Sequence, residues 1–303
     1  MSVAAGAHFL PRSVVEWTAL VRSSLQLRLD QLHLPEHFFY KELGNGRRFS
    51  HLQTCAVPRH TRENAVLVLL SPPAGGMENG FREMCITLTK RTDKLRRHGG
   101  QISFPGGTVD AGEMPAAAAQ RETVEEVGID ALAYDIIGSL HPISTVDGGS
   151  CVHPYVAVAA SSVAPTCASP DEVASIHYLH LSRLLLDSQH THCRLIKLRS
   201  LTSQNPAHFP CFFASASQTV PSGNVCPTEN VPGMPEDEGL APMLPEDYPG
   251  ELVWGITAFV LCELLVRLST ALEQMHPKEA NANEMLRGSS VVARDPQAPM
   301  GKL

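Results

Sequence analysis

The stretch GTVDAGEMPAAAAQRETVEEVGI, from Gly107 to Ile129, organises the chain around one short helix. Pro115 suits the first turn of a helix, because its missing N–H would have no partner there. Gly128 suits the position just past a helix end. Several alanines and the absence of glycine between these two residues also favour a helix. The sequence therefore predicts a helix from about residue 115 to 127.

Three glutamates share one face of that helix. Glu122, Glu125 and Glu126 stand at i, i+3 and i+4, so their carboxylates lie side by side. Carboxylates this close repel one another and raise each other's pKa, unless a divalent cation sits among them. All-oxygen ligands suit Mg²⁺ or Mn²⁺. Taken alone, the glutamates could also be a solvated helix face.

The spacing of the whole stretch is more informative than its glutamates. It reads G-x5-E-x7-R-E-x-x-E-E-x-G-hydrophobic, and this string resembles the box of the Nudix hydrolases. Its one departure is Thr123, where the box prefers a larger aliphatic residue. That position faces the core, so the change concerns packing. The resemblance implies an α/β fold, a Nudix-type α/β/α sandwich with a mixed β-sheet.

The same resemblance implies roles for the box residues. Glu122, Glu125 and Glu126 would hold a catalytic Mg²⁺ or Mn²⁺, and the Gly107 carbonyl would add a ligand. Arg121 would orient a carboxylate, above all that of Glu113. The cation would neutralise a diphosphate and activate a water for in-line attack on phosphorus. A non-catalytic nucleotide-binding module usually lacks box carboxylates, and none is missing here.

A basic, glycine-rich loop precedes the box. The segment KRTDKLRRHGGQISFPGG, residues 90–107, gathers six basic side chains just before a glycine turn. Guanidinium groups and exposed backbone N–H groups near glycines are what phosphate recognition requires. An ordinary basic surface loop is the alternative for any single residue. The candidates for substrate binding are Arg91, Arg96, His98, Gly106 and Gly107.

A narrower resemblance concerns the substrate. Leu88-Thr89-x-Arg91, Arg96, Gly100 and Phe104-Pro105-Gly106-Gly107 resemble the signature of the coenzyme A diphosphatase branch of the Nudix hydrolases. It implies hydrolysis of coenzyme A or acyl-CoA to 3′,5′-ADP and 4′-phosphopantetheine. Either Arg91 or Arg96 could contact the 3′-phosphate. The alternative substrates are ADP-ribose and dinucleoside polyphosphates.

A further candidate lies outside the box. Glu172 stands in the segment Asp171-Glu172-Val173-Ala174, which also resembles the coenzyme A diphosphatase branch. An attacking water needs a proton acceptor, so Glu172 is a candidate for the catalytic base or an extra metal ligand. A carboxylate at the start of a strand or helix is the alternative interpretation.

Apolar patterning predicts the remaining elements. Ser13 to Glu16 has the form of a capping box, and an amphipathic helix is expected over residues 13–33. Strand and helix pieces are expected in 171–186, and a closing helix from Gly250 to about Met275. Strands are expected at 65–70, 84–89, 134–140, 152–159, 195–198 and 211–214.

These elements suggest three regions. Residues 1–59 form an N-terminal helix with a polar extension, and residues 60–275 form the hydrolase domain. Within that domain, residues 215–250 are an acidic, proline-rich insert, which we expect to be an unpacked surface loop. Residues 276–303 are predicted to be a flexible tail.

Charge and composition limit the partners. The net charge is −7, and Ser200 to Val266 contains eight acids without a lysine or arginine. No basic tract suits a long nucleic acid, so the expected partner is a small nucleotide resembling coenzyme A. The longest uncharged apolar run, Leu252 to Cys262, is too short to span a bilayer. Eight scattered cysteines without a C-x-x-C pair indicate neither a zinc site nor a disulfide framework.

The final tripeptide suggests a location. Gly301-Lys302-Leu303 resembles the peroxisomal signal Ser-Lys-Leu in its small–basic–leucine order. We therefore expect a peroxisome-type organelle and a peroxisomal import receptor as a partner. Cytosol and mitochondrion are the alternatives.

Overall fold

The computed structural model describes residues 10–32, 41–42, 48–49, 62–73, 80–95, 98–145, 149–186, 196–198, 207–209, 212–215 and 250–276. Its α-helices are α1 (Val14–Gln26), α2 (Pro115–Val127), α3 (Leu181–Leu186) and α4 (Gly255–Met275). Short 3₁₀ turns cover Leu29–Gln31, Gly80–Glu83 and Ala131–Ala133. The strands are β1 (Lys41–Glu42), β2 (Arg48–Phe49), β3 (Arg62–Ser71), β4 (Cys85–Arg91), β5 (Ile102–Ser103), β6 (Gly106–Thr108), β7 (Tyr134–Ser139), β8 (Ile143–Ser144), β9 (Ser150–Ala159), β10 (Val173–His180), β11 (Ile196–Leu198), β12 (Ala207–Phe209), β13 (Phe212–Ala214) and β14 (Glu251–Val253).

Eight of these strands form one mixed sheet. Its main order is β10-β4-β3-β9-β7, and β5, β6 and β8 pair with β4, β3 and β9 respectively. Strands β3 and β9 run parallel, and the other pairs are antiparallel. The strands β1-β2, β11-β12 and β13-β14 form separate two-stranded sheets.

Helices cover the main sheet on both faces and create two cores. Leu67 and Leu69 of β3 point towards α2, whereas Val68 and Leu70 point towards α1 and α4. All four side chains are fully buried. Because β3 is covered on both faces, its sequence is a continuous apolar run and does not alternate. The α/β/α sandwich with a mixed sheet, expected from the resemblance, is confirmed.

The N-terminal helix is shorter than predicted. It begins as expected, with the Ser13 hydroxyl accepting a hydrogen bond from the Glu16 N–H at 3.2 Å. It ends at Gln26, where the prediction continued to residue 33. The reason is a long-range contact: the Arg267 guanidinium of α4 donates to the carbonyls of Ser24 and Leu27 at 3.0 and 2.7 Å. Those carbonyls are therefore satisfied without a further helical turn.

The C-terminal helix also begins later than predicted. Residues 251–253 form β14, which pairs with β13, and the helix begins at Gly255. The φ angle of Gly255 is +65°, a left-handed conformation that lets the chain turn from strand to helix.

The helix α4 is long and apolar enough to cross a membrane by length and composition alone. The sequence had predicted no span, because the uncharged run Leu252–Cys262 is shorter than this helix. Its most apolar window is 67% buried inside the fold. It also carries Glu263 and Arg267, both buried and paired with each other at 2.8 Å. These are features of a core helix.

Several predictions concern residues that lie wholly or mostly outside the described ranges. Of the acidic insert, the structure describes Ser215 and Gly250, and of the predicted tail it describes His276. Arg96 and the tripeptide Gly301-Lys302-Leu303 lie outside the described residues.

Candidate active site

Helix α2 occupies the residues predicted for it, Pro115 to Val127, with Gly128 closing it at φ +65°. Its inner side packs Ala118, Ala119 and Val127 on β3. Thr123 is fully buried there, and its hydroxyl donates to the Ala119 carbonyl at 2.7 Å. A polar residue is tolerated in this core position because its hydrogen bond is satisfied within the helix.

Arg121 ties the acidic residues together. Its Nε and Nη2 donate to the two carboxylate oxygens of Glu113 at 3.0 and 3.1 Å. Its Nη1 donates to Glu122 at 2.9 Å and to Glu125 at 3.1 Å, and Nη2 also reaches the Thr108 carbonyl at 3.1 Å. A guanidinium has five N–H donors, so this group is fully used by the protein. The structure thus pairs Arg121 with Glu113, as expected, and with two further glutamates.

Two glycines bring backbone against these carboxylates. Gly106 has φ +154°, and a side chain there would collide with the backbone of Ala65 and Val66. Its N–H donates to Glu126 Oε2 at 3.2 Å. A Cβ on Gly107 would lie 2.5 Å from the carboxylate carbon of Glu122. Only glycine allows β6 to approach the helix this closely.

Burial perturbs the two inner carboxylates. The pKa of Glu126 rises to about 7, mainly because its side chain is only 3% exposed. The Gly106 N–H and the positive charge of Arg91 oppose this rise, whereas the charges of Glu122 and Glu172 add to it. Burial likewise raises the pKa of Glu122, against its hydrogen bond from Arg121, and the charges of Glu125 and Glu172 contribute. Carboxylates held in this way favour any ligand that brings positive charge.

The donor set fits a divalent cation, although the ligands are not yet assembled around one point. Among the described residues, no three His, Cys, Asp or Glu side chains are grouped to hold an ion as they stand. Glu125 is 55% exposed and hydrogen-bonded to Arg121, so it would have to turn inwards. Glu122 and Glu126 with the backbone of Gly107 already present the hard oxygen donors that Mg²⁺ or Mn²⁺ prefers.

The candidates outside the box lie at different distances from this cluster. Glu172 is close enough for its charge to act on both Glu122 and Glu126. The Arg91 guanidinium is 3.8 Å from Glu126 Oε1. His98 is exposed, has φ +57°, and its Nδ1 lies 3.0 Å from the Gln101 side-chain oxygen. The structure thus places Arg91 beside Glu126, sets Glu172 within electrostatic range of the two inner carboxylates, and leaves His98 on the loop surface.

One residue that holds Glu172 was overlooked in the sequence. The backbone N–H of Thr92 donates to the Glu172 carbonyl at 2.9 Å, and its hydroxyl donates to the Asp171 carbonyl at 2.8 Å. Because these contacts join positions about 80 residues apart, they follow from the pairing of β4 with β10 and leave no local sequence signal.

The fold and the site define a class: an α/β/α sandwich in which a glycine turn and one acidic helix form a cluster of carboxylates. Residues 61–197 match the family model of the NUDIX domain. This part of the chain is therefore similar to a NUDIX domain.

The similar proteins carry the same family name. The chain is 44% identical over 101 residues to "Uncharacterized Nudix hydrolase NudL" of Cronobacter sakazakii, covering 33% of this chain and 52% of that protein. The protein of the same name from Escherichia coli is 42% identical over 101 residues, with the same coverage. The chain thus spans about half the length of the curated relatives it matches.

Among solved structures, the chain resembles the Nudix hydrolase RenU of M. smegmatis. The two share 23% sequence identity with a TM-score of 0.33, and the match covers 46% of this chain and 78% of the other.

Proposed function

We propose that this protein is a metal-dependent hydrolase of nucleoside diphosphate derivatives, with coenzyme A or acyl-CoA as its substrate. The observation that carries the proposal is a cluster of four glutamates set against the Gly106–Gly107 turn. Arg121 binds Glu113, Glu122 and Glu125, and the Gly106 N–H binds Glu126. Such a concentration of acids is unfavourable without a cation, and a cation held there can bind a diphosphate.

In this proposal each residue has a distinct task. Glu122, Glu125 and Glu126, with the Gly107 carbonyl, hold Mg²⁺ or Mn²⁺. When bound, such a cation neutralises phosphate charge and makes water more acidic. Arg121 keeps the glutamates in position through its contact with Glu113.

Glu172 is proposed as the base. It accepts a proton from the water whose oxygen attacks phosphorus, while the bond from phosphorus to the bridging oxygen breaks. The bridging oxygen leaves with the other phosphate. This role is supported by Thr92, which holds the backbone carbonyls of Asp171 and Glu172, and by the charge of Glu172, which acts on both Glu122 and Glu126.

Coenzyme A is proposed as the substrate on the strength of residues 88–107, which resemble the coenzyme A diphosphatase signature. Arg91, Arg96, His98, Gly106 and Gly107 are the proposed contacts to its phosphates. The products would be 3′,5′-ADP and 4′-phosphopantetheine.

A substrate panel tests the proposal. Purified protein with Mg²⁺ or Mn²⁺ is incubated with coenzyme A, an acyl-CoA, ADP-ribose and diadenosine polyphosphates, and the products are identified by mass spectrometry. We expect 3′,5′-ADP and 4′-phosphopantetheine from coenzyme A at the highest kcat/KM. Faster cleavage of ADP-ribose or a dinucleoside polyphosphate would replace the substrate but keep the reaction class. Nucleotide binding without cleavage would identify a non-catalytic module.

We also propose delivery to a peroxisome-type organelle through Gly301-Lys302-Leu303. The test is a fusion with a fluorescent protein at the N-terminus, imaged with and without these three residues. We expect a punctate signal that becomes diffuse on removal. The same distribution for both fusions would contradict this address.

A further inference from the structure

The candidate active site contains two arginines that differ in hydrogen bonding: one uses all its donors within the protein, and the other uses none of its guanidinium donors on the described residues. All five donors of Arg121 are directed at Glu113, Glu122, Glu125 and Thr108. The Arg91 guanidinium makes no hydrogen bond to any other described residue. Its ion-pair distance to Glu126 Oε1, 3.8 Å, is too long for a hydrogen bond. Arg121 is thus committed to the protein, whereas Arg91 keeps its donors for another acceptor.

The backbone fixes the position of Arg91. Its N–H donates to the Gln101 carbonyl at 3.0 Å, and its own carbonyl accepts from the Gly100 N–H at 3.0 Å. On its other side it pairs with Val173 of β10, directly after Glu172. These backbone contacts from both edges of the strand fix the point from which the Arg91 side chain extends into the site.

The surroundings of Arg91 identify the ligand. Its side chain is 26% exposed, so it borders the open part of the site, and its nearest charged neighbour is the buried carboxylate of Glu126. In the proposed function Glu126 holds the cation, and the part of a substrate that meets this cation is the diphosphate. A guanidinium presents paired donors that match two phosphate oxygens.

We propose that Arg91 binds the non-bridging oxygens of the diphosphate at the bond that breaks, and not the 3′-phosphate of coenzyme A. This inference rests on the proposed function and changes the role expected for Arg91 from sequence. In the transition state, as the bond to the leaving phosphate breaks, the negative charge on these oxygens shifts. The positive charge of Arg91 stabilises that negative charge. Arg91 is then a catalytic residue that serves any diphosphate substrate of this site.

The experiment compares coenzyme A with dephospho-CoA, which lacks only the 3′-phosphate. We expect Arg91→Ala to lower kcat/KM by about 10²–10³-fold for both substrates, mainly through kcat. Arg91→Lys keeps the charge but loses the paired donors, and we expect an intermediate loss of at least about tenfold. The matched control is Arg28→Ala, because Arg28 is a surface residue with a side chain 78% exposed. We expect no change in this variant.

The outcomes separate the inference from the function. A loss at least tenfold larger for coenzyme A than for dephospho-CoA would return Arg91 to the 3′-phosphate, and unchanged rates in Arg91→Ala would remove it from catalysis. If the wild-type protein hydrolyses neither substrate, the proposed function fails. In that case, calorimetry in the presence of Mg²⁺ measures the affinity for the α,β-methylene analogue of ADP, and this affinity tests whether Arg91 binds a diphosphate. Affinity reduced by tenfold or more in Arg91→Ala and Arg91→Lys supports the inference, and equal affinity overturns it.

Discussion

Replacing Glu126 by glutamine should make the metal-free protein more stable and should sharply lower the proposed hydrolase activity. Burial raises the pKa of Glu126 from its ordinary value of 4.5 to about 7. In an unfolded chain the group would titrate near its ordinary value, and each unit of difference corresponds to about 1.4 kcal/mol. The ionised carboxylate therefore destabilises the folded, metal-free protein by about 3 kcal/mol at pH 8.

The direction in which stability changes with pH depends on whether the folded or the unfolded chain binds the Glu126 proton more tightly. Between pH 4.5 and 7 the folded protein holds the Glu126 proton more tightly than the unfolded chain does. Stability therefore falls as pH rises through this interval, and the loss is nearly complete at pH 8. From pH 5 to pH 8 the wild-type protein should lose about 2.5 kcal/mol more than Glu126→Gln. The amide can still accept the hydrogen bond from the Gly106 N–H.

Urea unfolding in excess EDTA, at pH 5 and pH 8, measures this difference. The comparison is with Glu125→Gln on the same helix, whose side chain is 55% exposed, and the gain in stability at pH 8 should be larger for Glu126→Gln. With Mg²⁺, Glu126→Gln should lose about 10²–10³-fold in kcat, because a charge that holds the cation is gone. Equal stability losses for the wild-type protein and Glu126→Gln between the two pH values would refute the argument.

Four further predictions follow from individual contacts. Gly107→Ala should reduce activity by at least about 10²-fold, because its Cβ would displace the Glu122 carboxylate, while Gly80→Ala, which has room, should not; steady-state kinetics compare them. Arg267→Met should lower the free energy of unfolding by about 3–5 kcal/mol, because it leaves the buried carboxylate of Glu263 with only the His141 imidazole at 2.7 Å, and adding Glu263→Gln should restore part of the loss in urea titrations. Glu172→Gln should change the acidic limb of the pH–rate profile, and an unchanged limb would exclude it as the base. Removing divalent cations with EDTA should abolish turnover, and added Mg²⁺ or Mn²⁺ should restore it.

The elements that sequence predicted well are those marked by local signals. The bounds of α2 follow from Pro115 and Gly128, because proline and glycine act at helix ends through their own backbone geometry. The buried strand β3 follows from its apolar run, although hydrogen bonding extends it by three residues before Ala65 and one after Leu70. The acidic spacing of Glu122, Glu125 and Glu126 identified the candidate site before any distance was known.

Contacts between distant segments had no such signal. Nothing near Gln26 in the sequence shows that Arg267 will end α1 there. The approach of Arg91 to Glu126 depends on the packing of α2 on β3, the neighbour of β4 in the sheet, and the place of Glu172 depends on the pairing of β4 with β10. A residue pattern predicts which groups are available, whereas these distances depend on the assembled sheet.

The packing of α1 against α4 has a consequence for how this chain is made. Trp17 and Leu20 of α1 are fully buried in the core that Leu264 and Leu268 of α4 complete. A ribosome releases the two helices about 250 residues apart, which at cellular speeds means roughly 10–50 s. During that interval the apolar face of α1 lacks one of its main partners, and a nascent chain in this state is a substrate for chaperones. Synthesis, and not collapse of the finished chain, then sets the time at which this core can close.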